Sequence, residues 1–102
     1  MSRRRKKMET LTFNDGTVRE YSNAHQSDGR LYIYIQDGST LQDVFSLLID
    51  PEKTVKIISN GPGKEKTYEG YTKLMTVNDE GNDLITAVLK QPVVETEGQN
   101  NA

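Results

Sequence analysis

Apolar and polar positions along the chain fall mostly into short runs of period two, with one stretch of helical period. Thr10–Asn14 alternates with Leu11 and Phe13 on one face, Asp15-Gly16 follows, and Thr17–Tyr21 returns. Asp-Gly accepts positive φ at a tight turn, so this segment predicts a first hairpin. Ser22–Ser27 (SNAHQS) is polar and reads as a loop, and Asp28-Gly29 repeats the turn signal. Arg30–Gln36 (RLYIYIQ) is the strongest strand, with Leu31, Ile33 and Ile35 facing one way and Tyr32 and Tyr34 the other.

A helix start follows. Asp37-Gly38 ends the strand, and Ser39 with Gln42 three residues on has the spacing of a capping box. Leu41, Val44, Phe45 and Leu48 make one apolar stripe, widened by Leu47 and Ile49. Pro51 disfavours helical geometry at Asp50, so the helix ends near Ile49. A helix this short is unstable alone and must pack on a sheet. Thr54–Ser59 reads as the next strand, and Asn60-Gly61-Pro62-Gly63 as a break. Lys66–Val77 (KTYEGYTKLMTV) has a long strand pattern with Gly70 at its middle, the sign of a bulge, a bend or close backbone approach. Asn78–Asn82 reads as a loop and Asp83–Lys90 as the last strand, stopped by Pro92.

The expected order is β-β-β-α-β-β-β. Tight hairpin connections make the sheet mainly antiparallel. The class is α+β: a twisted sheet or small open barrel of five or six strands, with one helix covering a face or plugging an end. Residues 9–91 form the expected single domain. Residues 1–8 read as a disordered basic arm and 92–102 as a disordered tail, since neither has the apolar content to be held down.

Composition limits the chemistry. The 102 residues are only 33% hydrophobic, with mean hydropathy −0.73, enough for one modest core. Zero Cys excludes a disulfide framework, a zinc knuckle and a thiol nucleophile, and a single His excludes a two-histidine metal site. No apolar run approaches a membrane span, and no apolar h-region follows the basic start, so a soluble cytosolic protein is expected.

The net charge of −2 hides an asymmetry. Arg3, Arg4, Arg5, Lys6 and Lys7 are all basic, and the remaining residues hold 8 bases against 15 acids. The arm reads either as a solvated terminus or as a contact for nucleic-acid phosphate, and Met8 is a candidate start. The acidic body reads as ordinary solubility or as a surface docking on a basic partner, with Asp79, Glu80 and Asp83 its densest part.

Catalytic and cofactor chemistry has no evident place. His25 lies in a polar segment without a rigid partner for a nucleophile. Asp15, Asp28, Asp37, Asp50 and Asp79 stand at turns, where turn chemistry accounts for them. The oxygen-rich Asn78–Asp83 loop lacks calcium-loop spacing, and Gly61-Pro62-Gly63-Lys64 lacks the spacer and Ser/Thr of a phosphate loop. No catalytic residue, metal or cofactor is expected, and the chain does not read as an enzyme. Tyr32, Tyr34, Tyr68 and Tyr71 either cover a sheet face and fill the core or form a protein-binding patch. Base stacking is disfavoured, because single-strand binders pair aromatics with Lys and Arg and these strands carry few.

Three pieces in order, TLTFNDGTV, GRLYIYIQDGSTLQDVFSLLIDPEKT and KTYEGYTKLMTV, carry a likeness. Over Glu9–Lys90 the chain resembles small β-rich accessory proteins encoded in bacteriophages and prophages of Gram-positive bacteria. The resemblance implies a non-enzymatic protein acting by protein–protein binding, in the virion or in the host cytoplasm. The first expectation is a tail or assembly component. The second is an inhibitor of a host defence system, such as an anti-CRISPR protein holding a nucleic-acid-handling nuclease by an acidic face.

Overall fold

In the computed structural model, residues 9–61 and 64–92 are described. The basic arm, with Arg3–Lys7, and most of the expected tail lie outside them. Eight strands form two antiparallel four-stranded sheets, with two short helices. The first sheet has the order β2-β1-β5-β6, from β1 (Thr10–Phe13), β2 (Val18–Glu20), β5 (Lys56–Gly61) and β6 (Lys64–Glu69). The second has the order β3-β4-β8-β7, from β3 (Ser22–Ser27), β4 (Arg30–Ile35), β7 (Lys73–Gly81) and β8 (Leu84–Lys90). The two sheets do not close into a barrel. Helices α1 (Leu41–Leu48) and α2 (Pro51–Thr54) connect β4 to β5.

The expectation of a small, mainly antiparallel β-rich domain holds, but the strands number eight rather than five or six. The first extra strand is β3, which polarity alone marked as a loop. Asp28 (φ 57°) and Gly29 (φ 75°) make a two-residue turn of the kind that joins paired strands, and Ser27 lies directly opposite Arg30. Such a turn next to so strong a strand as β4 requires a partner on its other side. Ser22 and Ala24 are buried on alternate positions of that partner.

The second extra strand comes from dividing the long Lys66–Val77 pattern. Gly70 takes φ +83°, donates its N–H to the Val55 carbonyl at 2.8 Å, and turns the chain out of the first sheet into the second. The expected bend is therefore a crossover, and Tyr68 and Tyr71 lie on either side of it. At the far end β7 continues through Gly81, and the expected five-residue loop shrinks to a turn at Asn82 (φ 55°) and Asp83 (φ 65°).

One core joins the sheets and α1. Across the first sheet Phe13, Ile57 and Tyr68 sit side by side in register. Facing residues of the second sheet include Leu31, Ile33 and Ile35 from β4 and Ile85, Ala87 and Leu89 from β8. From α1 come Val44, Leu47 and Leu48. This corrects the expected helix stripe: Phe45 is 41% exposed and Leu41 40%. At 100° per residue the apolar positions of α1 cover roughly 200° of its circumference, so the sequence permits either half to face inward. The half carrying Leu41, Phe45 and Ile49 points outward.

The helix starts are also shifted. Asp37 Oδ1 takes the Ser39 N–H at 2.9 Å and also the Ser39 hydroxyl, so Ser39 closes a turn and Thr40 caps α1, its Oγ1 accepting from Asp43 N at 3.1 Å. Asp-Pro-Glu, expected only to end a helix, starts a second one: Asp50 Oδ1 accepts from Glu52 N at 3.0 Å with Pro51 at the first helical position.

Candidate functional site

Four of the five acids expected at turns bond the backbone, but Asp79 does so from within β7, at the irregularity before Gly81. Asp15, Asp37, Asp50 and Asp79 each accept the N–H two residues on, at 2.9–3.0 Å. The Thr17 N–H holds the Asp15 carboxyl below the usual carboxylate range. Asp79, Glu80 and Asp83 are exposed together at the β7–β8 hairpin, with Glu80 Oε2 accepting from the Thr86 hydroxyl at 2.8 Å.

The four tyrosines proposed as one patch divide into two pairs. Tyr68 and Tyr71 are core residues, 5% and 3% exposed, packed edge to face with ring centroids 6.5 Å apart. They fall out of any binding surface. The Tyr68 hydroxyl donates to the Ala24 carbonyl at 3.2 Å, tying β6 to the open edge of β3. Burial pushes the Tyr68 hydroxyl up from its ordinary pKa, with Tyr71 adding to it. The folded protein therefore holds this proton more tightly than the unfolded chain. That part of the stability is complete below the ordinary value of 10.0 and is lost as pH rises beyond it. Tyr68→Phe is expected to flatten the alkaline end of a melting-temperature profile, while costing about 1 kcal/mol at neutral pH for the lost hydrogen bond.

Tyr32 and Tyr34 do share a surface, the outer face of the second sheet. His25, expected on a loop, joins them there from the edge strand β3. Its ring stacks on Tyr32 (centroids 5.2 Å apart, planes 13° apart) and lies 5.6 Å from Tyr34. The register sets the rest of that face in rows. His25, Tyr32, Val88 and Thr76 make one row, and Asn23, Tyr34, Thr86 and Asn78 the next. On the other side of the His25 row lie Ser27, Arg30, Lys90 and Lys73. Three cations from β4, β8 and β7 thus stand side by side. They are 60 residues apart in the chain at the extreme, Arg30 to Lys90, and only the pairing of strands reveals them. Among the described residues the one ion pair is Arg19–Asp37, at 4.0 Å, so no carboxylate compensates this row.

Beside His25 an open groove of about 820 Å³ separates β3 from β6, lined among others by Asn23, Ser59, Lys64 and Lys66. Among the described residues no three His, Asp or Glu side chains gather where they could hold a metal ion. No helix among them is long and apolar enough to cross a membrane. No family model, no curated protein and no solved structure matches the chain.

Proposed function

We propose that this chain is a non-enzymatic bacteriophage accessory protein that works by binding protein subunits, as a component of the virion or of its assembly. The observation that carries this reading is the outward face of α1. Leu41, Phe45 and Ile49 recur every four residues and are 40%, 41% and 49% exposed. An apolar stripe left on one side of a small polar domain marks a contact surface. Gln42 and Ser46, which follow Leu41 and Phe45 in the helix, are uncharged. Two copies of an acidic body can therefore meet along this stripe without bringing like charges together. A two-fold contact would set Phe45 against Phe45 and Leu41 against Ile49 of the second copy. The patch is small, so the contact is weak and gains strength only where many copies assemble.

Size-exclusion chromatography with light scattering tests this. The protein is expected to pass from monomer to dimer or higher species as its concentration rises, and Phe45→Asp to remain monomeric while keeping its fold. A wild-type protein that stays monomeric up to millimolar concentration contradicts the assembly reading.

The acidic β7–β8 hairpin favours a second reading, an inhibitor of a nucleic-acid-handling defence nuclease in the host cytoplasm. Asp79, Glu80 and Asp83 put three exposed acids at the end of one hairpin, a local charge that suits a basic groove. Inhibition of a guide-loaded CRISPR nuclease that disappears when all three become Lys would put this reading first.

A further inference from the structure

We infer that the outer face of the second sheet binds single-stranded nucleic acid, with Tyr32, Tyr34 and His25 stacking bases and Arg30, Lys90 and Lys73 holding the backbone phosphates. Two independent features of the face point to the same ligand. The first is the aromatic cluster. His25 and Tyr32 stack nearly parallel, 5.2 Å apart, and Tyr34 lies 5.6 Å from His25, so an exposed His and two half-buried Tyr form one aromatic cluster on strands at the middle and edge of a four-stranded sheet. Flat aromatic surface on a sheet accepts any base, because every base has a π face.

The second is the cationic row. Lys90 lies directly opposite Arg30 on one side and Lys73 on the other. Like charges facing each other across strands destabilise a sheet, and among the described residues none of the three has a carboxylate within 4.0 Å. Such a row is relieved by a polyanion that lies across the strands. Neighbouring strands are about 4.8 Å apart, so the three charges span roughly 10 Å, next to the aromatic row rather than scattered about it. A base seated on Tyr32 therefore has phosphate-binding groups within reach of its own backbone. An acidic protein segment would satisfy the cations but would make no use of the aromatic cluster beside them, on which a base can extend the existing stack. The chain's overall acidity does not oppose the assignment, because encounter is governed by the local field of the face.

The test uses the full-length protein and fluorescein-labelled oligothymidylate and oligouridylate, each 20 nucleotides, followed by anisotropy. Binding to one or both is expected, weakening as salt rises with a slope of roughly −2 in log–log form if three phosphates are engaged. Tyr32→Ala is expected to lower affinity about tenfold, and Tyr32→Phe to leave it unchanged. Arg30→Glu with Lys90→Glu is expected to lower affinity more than tenfold and to flatten the salt slope; Arg30 is exposed and Lys90 half-buried, and circular dichroism checks that the fold is kept, with Arg30→Glu alone as the milder variant. A chain in which Arg3, Arg4, Arg5, Lys6 and Lys7 are all Gln separates the basic arm from the face, and is expected to keep the Tyr32 dependence. The inference is overturned by absence of binding at low salt, by binding that follows the arm and ignores Tyr32 and Arg30, or by equal binding of a labelled polyglutamate peptide. Preference between the two oligonucleotides assigns the ligand to DNA or RNA.

Discussion

Replacing Leu48 by Ala is expected to cost about 3–5 kcal/mol, while Phe45→Ala one turn earlier in α1 is expected to cost under about 1 kcal/mol. Leu48 is fully buried in the core that joins the sheets and α1, and truncation there removes apolar contact and leaves a cavity. Phe45 is 41% exposed and already spends much of its surface in water. The sequence pattern alone places Phe45 in the core and predicts the larger loss there. Urea titrations of the two variants side by side separate the two views, since native domains of this size hold only about 5–15 kcal/mol in all. Equal destabilisation by both substitutions would mean that α1 docks with Phe45 inward.

Tyr68→Ala is expected to cost about 3–5 kcal/mol, the second largest single effect. Tyr68 sits beside Ile57 in the first sheet, meets Tyr71 edge-on, and reaches the Ala24 carbonyl in the second sheet. One truncation therefore loosens the first sheet, the crossover at Gly70 and the edge of β3 together. Thermal unfolding checks the size of the loss, and amide exchange along β3 checks its route. A tyrosine serving only as a surface patch would leave both unchanged.

The acidic hairpin and the cationic face lie toward opposite ends of the second sheet. Asp79 and Glu80 are at one end of β7 and Lys73 at the other. The charge asymmetry visible in the sequence, a basic arm on an acidic body, thus recurs within the folded domain on a scale that composition hides. The −2 net charge describes neither end.

What the sequence determined by itself is local. Asp15-Gly16 and Asp28-Gly29 specify turns because few other residues accept positive φ, and RLYIYIQ specifies a strand with Leu31, Ile33 and Ile35 inward because period two admits one reading. The capped start after Asp37-Gly38 specifies a helix, and the Asp residues two positions before a free N–H specify turn closures. Gly70 marked a place where the strand pattern could not run straight. Tertiary structure decided the rest. The helix α1 is apolar over more than half its circumference, so only docking chose Leu47 over Phe45. SNAHQS has too little apolar content to declare itself a strand, and it becomes one because β4 needs a partner across a two-residue turn. Tyr32 and Tyr34 share a face while Tyr68 and Tyr71 enter the core, because Gly70 sends the chain from one sheet to the other. Arg30, Lys73 and Lys90 become neighbours only through the register of three strands, a non-local pairing that no window of sequence contains.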